Sequence, residues 1–242
     1  MRYFDRIGST NEVALAWARQ EAPDLALVYT EEQTSGRGRA GRSWYSRRGA
    51  ALTFSLVLRP APLERWLLSR LTALGALAVV EALARLHLEG EIKWPNDVLI
   101  HGRKVCGILV ESIFQGNVLE GVVLGLGVNV QAESVPPPEG LNFPATCLER
   151  EAGVTIERLP LIRAILQGLL RWRPQLAQAE FLQAWEGCLA FRGQKVEVRQ
   201  EGQPVQQGLM EGLDPDGSLR LRLGMGVTAS IQFGDVHLHQ AE

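Results

Sequence analysis

An α+β fold, a mixed β-sheet with packed helices followed by a small C-terminal β-barrel, is predicted on three grounds. From Glu91 to Val130 several strand-like segments follow one another without an intervening helix, which favours antiparallel or mixed pairing over a doubly wound sheet. Between Leu63 and Leu86, apolar residues such as Leu67, Leu71, Leu74, Ala78 and Ala82 recur at three- and four-residue steps, the mark of a long buried helix. After Arg192-Gly193 the texture changes to short strands separated by turns such as Asp214-Pro215-Asp216-Gly217, the pattern of a small barrel. A boundary near residue 190 follows, with a larger domain over 1–189 and a β-domain over 190–242. At 242 residues and 46% hydrophobic content the chain can bury a sizeable core, which excludes intrinsic disorder.

Taken in order, Ser9-Thr10-Asn11-Glu12 reads as a capping box, Ser9 at N-cap and Glu12 at N3, opening a short helix through Ala18. Leu25 to Thr30 and Ala51 to Leu58 read as apolar strands joined by a Gly/Arg-rich loop. Glu91 to Trp94 is a short strand stopped by Pro95. Val98 to Ile100 and Lys104 to Ser112 flank His101-Gly102-Arg103 as a hairpin, and Val118 to Val130 is a further strand. A proline-rich loop over Val135 to Pro144 precedes two amphipathic helices, near Ile156 to Trp172 and Gln175 to Cys188. The barrel strands fall at Lys195 to Arg199, Val205 to Leu213, Leu219 to Leu223 and Val227 to Gln232, and His237 and His239 alternate on a terminal strand without a third metal ligand.

Cys106, Cys147 and Cys188 stand far apart, so neither a zinc site nor a disulfide framework is predicted, and a reducing cytoplasm fits best. No apolar run approaches the roughly 20 residues that cross a bilayer. Charge is uneven. Arg37, Arg39, Arg42, Arg47 and Arg48 lie between Ser35 and Ala50 with no acidic residue, leaving 20 basic against 27 acidic residues elsewhere. A pI near 6.1 argues against a broad nucleic-acid surface, so the island reads as built for a small anion.

Gly36-Arg37-Gly38-Arg39-Ala40-Gly41 matches G-x-G-x-x-G, yet Arg42-Ser43-Trp44-Tyr45 follows with no helical periodicity. The dinucleotide fingerprint needs a helix there, and no Gly-Lys-Ser/Thr makes a P-loop. What remains is a loop that can approach a ligand closely and grip phosphate or carboxylate oxygens with guanidinium groups. In Lys93-Trp94-Pro95-Asn96-Asp97 a lysine at a strand end can point into a cleft, with Asn96-Asp97 read as a turn. Gly107 and the pair Gly125 and Gly127 fall inside strands, where glycine is disfavoured unless a ligand or another chain segment comes close. With no G-x-S-x-G, H-E-x-x-H or other nucleophile signature, any catalysis must work by positioning and charge neutralisation.

Ser9-Thr10-Asn11, the run from Gln33 to Trp44, Lys93-Trp94-Pro95-Asn96-Asp97, Gly107-Ile108-Leu109-Val110-Glu111 and Gly125-Leu126-Gly127-Val128-Asn129 together resemble the biotin protein ligases in order and spacing. The resemblance implies a class II synthetase-like catalytic fold with an SH3-like C-terminal domain. It implies two steps, in which biotin and Mg·ATP give biotinyl-5′-AMP and a lysine of a biotin carboxyl carrier protein then takes the biotin. By position it assigns Ser9, Thr10, Asn11, Gln33, Gly36, Arg37, Gly38, Arg39, Lys93, Gly107, Gly125 and Gly127 to biotin, and Arg39, Arg42, Trp44, Lys93 and Asn129 to the nucleotide or adenylate. Lys93 matches the lysine between biotin carboxylate and α-phosphate, and Lys93 and Arg39 are the catalytic candidates; no metal ligands are assigned.

Two departures stand out: Ala40 replaces an arginine found in some members, and the chain opens almost directly onto Ser9, which implies the form without an N-terminal DNA-binding domain and hence no DNA partner. A homodimer is compatible with the resemblance. Two other readings remain open: a lipoate ligase or octanoyltransferase-like acyl transfer, and a nucleic-acid-binding module that grips phosphates through the arginine loop, whose affinity would fall steeply with salt.

Overall fold

The computed structural model describes residues 1–59, 67–116, 118–137, 139, 141 and 143–238. Seven strands form the main sheet: β1 (Arg2–Phe4), β2 (Ala26–Thr30), β3 (Ala51–Leu58), β4 (Glu91–Lys93), β5 (Asp97–Ile100), β6 (Arg103–Gln115) and β7 (Val118–Asn129). Their spatial order is β1-β2-β3-β7-β6-β5-β4. Only β1 and β2 run parallel, so the sheet is mixed, as expected from strands that follow one another without helices. The β5–β6 turn holds His101 and Gly102 at positive φ, 49° and 69°, the geometry of a two-residue hairpin.

The two faces of this sheet are covered differently. On one, α2 (Leu68–Ala84) lies with α4 (Arg158–Trp172) and α5 (Ala179–Gly187) over Phe54, Leu56, Leu124, Leu126 and Val128. The start of α2 predicted at Leu63 lies outside the described residues. Among the described residues the one helix on the other face is α1 (Thr10–Ala18), whose Ala14 and Ala18 pack on Val28, Val57 and Val123 at one end. Strand alternation makes the division: along β7, Leu124, Leu126 and Val128 enter the helical core while Gly125, Gly127 and Asn129 turn away from it.

The C-terminal part forms a second, all-antiparallel sheet of β8 (Lys195–Arg199), β9 (Gln206–Leu213), β10 (Leu219–Arg222), β11 (Thr228–Ile231) and β12 (Asp235–Leu238), in the order β11-β10-β9-β8-β12. It is docked on the main sheet by polar bonds as well as by packing. Trp94 Nε1 donates to the Gly217 carbonyl at 3.1 Å, Ser69 to the Asp216 carbonyl at 2.6 Å, and buried Arg70 donates to the Leu176 and Pro215 carbonyls.

Three elements differ from expectation. The short edge strand β1 has too few residues to show a period, and its pairing with β2 sets it. Helix α3 (Leu148–Ala152), ended by Gly153 at φ 69°, is a single turn below the length that periodicity can detect. Ser9 occupies the N-cap of α1, but its side chain makes no capping bond, so the predicted capping box does not form. His239 lies outside the described residues; among them no three His, Cys, Asp or Glu groups converge as a metal site, and no helix is long and apolar enough to cross a membrane.

Candidate active site

On the open face, three glycines make a floor without side chains. Gly107 and Gly127 are cross-strand partners on β6 and β7, and Gly125 lies two residues before Gly127. A Cβ at Gly125 would lie 2.0 Å from Asn11 Oδ1, and one at Gly127 would lie 2.3 Å from the Trp44 ring. The floor is thus shaped to admit two side chains of the same molecule, Asn11 and Trp44, and the cavity left beside them.

Two segments bring the walls together. Ile7 and Gly8 pair with the chain at Gln33 to Ser35, through Thr34 N to the Ile7 carbonyl at 2.9 Å and Ser35 N to the Gly8 carbonyl at 2.9 Å, which sets Ser9, Thr10 and Asn11 beside Gln33. The Gly/Arg loop folds back on itself as a strap. Trp44 N bonds the Gly36 carbonyl at 2.8 Å and Gly38 N the Arg42 carbonyl at 2.7 Å. Its tip is a tight turn with Ala40 at φ 51° and Gly41 at φ 72°, the two left-handed residues a type I′ hairpin demands. No helix follows Gly41; the next element is β3, so the G-x-G-x-x-G match is not a dinucleotide fold.

Two cavities meet under the strap. The smaller, about 80 Å³, is lined by Ser9, Thr10, Asn11 and Gln33 on one side and by Arg39, Asn96 and the glycine floor on the other. The larger, about 860 Å³, opens between Lys93, Asn129, Phe143 and Tyr45 and includes Arg199, Asp235 and His237 from the second sheet. Arg42, Ser43, Trp44 and Lys104 line both and form the junction. The smaller cavity is open and shares these four residues with the larger one, so a ligand seated in it can extend past the junction.

The polar groups divide into those already used and those left over. Thr10 donates from its backbone N and its hydroxyl to Gln33 Oε1, at 2.7 and 3.0 Å. Ser55, fully buried on β3, lies 2.8 Å from Thr10 Oγ1 and 2.6 Å from Asn11 Oδ1 as donor. Asn11 Nδ2 donates to Glu111 at 2.8 Å and to the Leu109 carbonyl at 3.3 Å, which uses up its amide. Left over are the Ser9 hydroxyl and Gln33 Nε2, which belong to cavity-lining residues and make no hydrogen bond among the described residues, and Trp44 Nε1, which is buried without a partner. Buried polar groups without partners are costly, so these are the groups a ligand would satisfy.

Charge divides the same way. Of the five arginines of the strap region, Arg37 is paired with Glu111, Arg42 with Asp235 and Arg48 with Asp5, while Arg47 donates to the Tyr45 hydroxyl. The loop as a whole is therefore not a free anion grip. Arg39 has no carboxylate partner among the described residues; it reaches only Asn96 Oδ1 at 3.3 Å, and burial pushes its pKa down against the pull of Asp97. Lys93 is almost wholly buried, its ammonium 5.0 Å from the Phe143 ring centre, and its pKa is lowered first by burial and then by Lys104, Arg42 and Arg39 despite Asp97. Lys104 Nζ pairs with Asp97 at 2.6 Å. At the junction Arg42 and Lys104 are paired with Asp235 and Asp97, while Arg39 on the side of the smaller cavity and Lys93 on the side of the larger have no carboxylate partner among the described residues, so two uncompensated positive charges flank the place where the cavities join.

Most residues assigned from the sequence lie here, but not all in the assigned places. Lys93 lines only the larger cavity; the lysine standing between the two is Lys104. Gly36 does not line the cavity: its missing side chain lets the Trp44 carbonyl and Gln33 Nε2 approach, since a Cβ there would lie 2.5 and 2.9 Å from them. Asn129 lines the larger cavity and donates its amide to the Thr146 carbonyl at 3.0 Å. The sequence reading passed over Lys104, Asn96, Asp97, Ser55 and Glu111. Alternation along β6 places Lys104 and Gly107 on opposite faces, but the β5–β6 register slips between Val98 and Leu99, and Lys104 Cε ends 3.3 Å from where a Gly107 Cβ would be. The slip also frees the Lys104 backbone to bond the Pro144 carbonyl and Thr146 N, at 2.7 and 2.9 Å.

With this geometry in hand, the chain can be compared with known proteins. Residues 3–129 match the biotin/lipoate A/B protein ligase family and residues 191–238 the biotin protein ligase C-terminal domain. It is 35% identical over 231 residues to the biotin–[acetyl-CoA-carboxylase] ligase of Paracoccus denitrificans, covering 90% of this chain and 92% of that one. It is 34% identical over 241 residues to the bifunctional ligase/repressor BirA of Bacillus subtilis, covering 96% of this chain and 73% of the relative. The match to BirA of Bacillus spizizenii, 40% identical over 166 residues, spans 68% of this chain and half of that relative's length. Among solved structures, the Aquifex aeolicus biotin protein ligase in complex with biotin and ATP superposes with a TM-score of 0.80 at 27% identity, over 99% of this chain and 98% of that one. The glycine floor, the strap and the appended β-domain accordingly place the chain in a known group: it belongs to the biotin protein ligases, within the biotin/lipoate A/B protein ligase family.

Proposed function

We propose that the chain activates biotin with ATP to biotinyl-5′-AMP and passes the biotin to a lysine of a biotin carboxyl carrier protein, with the smaller cavity holding biotin and the larger the nucleotide. The observation that carries this reading is the excess of two positive charges at the junction of the cavities. In the first step a carboxylate oxygen of biotin attacks the α-phosphorus, the bond to the β-phosphate oxygen breaks and pyrophosphate leaves. Two anions must approach, and near a protein surface one opposing charge at 4 Å is worth about 4 kcal/mol.

Lys104 serves this encounter best, since it reaches both cavities, with Arg39 on the biotin side and Lys93 on the nucleotide side. The Ser9 hydroxyl and Gln33 Nε2 suit the ureido group of biotin, and the open aromatic wall of Phe143 and Tyr45 suits a purine. Aligning the two reactants could lower the barrier by a further ~7–11 kcal/mol. In the second step the acceptor amine attacks the acyl carbon, loses a proton and expels AMP, with no covalent bond to the enzyme. Mg²⁺ would come as a companion of the nucleotide phosphates; Asp97 and Asp235, the carboxylates lining the larger cavity, are paired with Lys104 and Arg42 and would have to exchange those partners to hold it. When bound it would neutralise phosphate charge. The division near residue 190 then separates the reacting domain from a β-domain that closes one wall of the nucleotide cavity.

Incubation with biotin and ATP should release pyrophosphate, and added carrier domain should become labelled on lysine. Active, folded protein that releases none refutes the reading, and lipoate in place of biotin as the productive acid would favour the acyl-transfer alternative. Sedimentation with and without ligand decides whether two copies pair.

A further inference from the structure

Glu111 joins two parts of the site that are far apart in the chain. Arg37 Nη2 of the strap lies 3.0 and 2.7 Å from its two carboxylate oxygens, and the second of these also accepts from Asn11 Nδ2 at 2.8 Å. Asn11, at the start of α1, is buried and is held from behind by Ser55. The orientation of its amide is settled by the carboxylate, which can only accept, so the NH₂ group must face Glu111. We propose that Glu111 is a positioning residue that latches the strap shut over the biotin cavity by holding Arg37, and registers that latch to the biotin wall through Asn11. The proposal rests on the reading of the smaller cavity as the biotin site.

An exposed Arg–Glu pair alone stabilises little, and both side chains here are partly in water, 45% and 26% exposed. What distinguishes this pair is the shared oxygen. Lifting the strap leaves the Asn11 amide its bonds to Glu111 and the Leu109 carbonyl but takes the guanidinium away from the carboxylate oxygen that fixes that amide, so opening is coupled through Glu111 to the wall that a ligand contacts. Arg37 accordingly acts through the strap rather than as a direct grip on phosphate, and the cations of the site without a carboxylate partner among the described residues remain Arg39 and Lys93.

Glu111→Gln separates the latch from mere structural support. A glutamine carbonyl in the shared position can still accept from Asn11 and from Arg37, but its NH₂ group replaces the second acceptor 3.0 Å from Arg37 Nη2, donor against donor, and the pair loses its charge. In the unliganded chain, chymotryptic cleavage after Trp44 or Tyr45 should accelerate about two- to fivefold in Glu111→Gln and in Arg37→Gln, the loss expected for one partly exposed ion pair. The double variant should be cleaved no faster than either single one. Cleavage at the wild-type rate, or a double variant as fast as the product of the two single effects, overturns the latch. With biotin and ATP, the Glu111→Gln enzyme should show a biotin KM raised by a similar factor with kcat changed less than about twofold, as for lost uniform binding. A KM that stays unchanged also overturns it. Should the wild-type chain fail to make adenylate, the functional reading falls, while the cleavage rates still decide whether Glu111 holds the strap.

Discussion

Phe54 and Ser55 follow one another on β3, pair with Leu126 and Gly125 on β7, and face opposite ways. Phe54 is fully buried among the leucines under the helices; Ser55, equally buried, bonds the residues that shape the ligand wall. One sheet thus carries stability on one face and chemistry on the other, and the same alternation produces both. On the helical face the physics is area removed from water; on the open face it is a small number of directed bonds around a floor kept free of side chains.

The sharpest way to break this division is to exchange the two kinds of damage. Phe54→Ala should cost about 3–5 kcal/mol of unfolding free energy through the cavity it leaves, while the remaining folded molecules keep their rate of adenylation. Denaturant unfolding and active-site titration read the two quantities separately. Lys104→Ala should weigh on the rate instead, lowering adenylation about 10²–10³-fold, the scale seen when one preorganised stabiliser of developing charge is removed, with a stability cost confined to the lost partner of Asp97. Next in size is Gly127→Ala, whose added Cβ would collide with the Trp44 ring 2.3 Å away and displace the strap. A misplacement on that scale should cost roughly a hundredfold in rate, against a small shift in melting temperature. A Gly127→Ala enzyme as active as the parent would mean that Trp44 packs elsewhere in the working enzyme.

The sequence disclosed the helical face more fully than the open one, and the reason is physical. Apolar periodicity reports burial, so β3, β7 and α2 were legible within a few residues, as was the change of texture that becomes the second sheet. The glycines of the floor were legible as positions where something approaches, though not that Asn11 and Trp44 approach them. Lys104 was hidden by the register slip that turns it to the face of Gly107, and Asn96 and Asp97 by their likeness to an ordinary turn. Glu111 was hidden by distance, since its partner Arg37 lies 74 residues earlier in the chain. Five arginines in one window read as one cationic grip, but pairing can be seen only once the chain is folded.

A smaller effect sharpens the account of charge. The pKa of Lys93 is depressed from 10.5, so between the depressed value and 10.5 the free protein holds fewer protons there than an ordinary lysine would. An anion beside it favours the ammonium form and draws the pKa back up, so binding should take up protons in that window. Calorimetry at alkaline pH in two buffers of different ionisation heat should detect a fractional uptake that vanishes in Lys93→Met, and heats independent of buffer would contradict it.

The central claim is that an excess of positive charge at the junction of the cavities is reserved for an anion shared by both ligands. Titration of the purified chain with biotin and, separately, with biotinyl-5′-AMP in the same buffer tests it most directly. With each charge-assisted contact worth about 1.5–3 kcal/mol, the adenylate should bind at least about a hundredfold more tightly than biotin and lose most of that advantage in Lys104→Ala. Equal affinities for the two, or an advantage untouched by the loss of Lys104, would contradict the account.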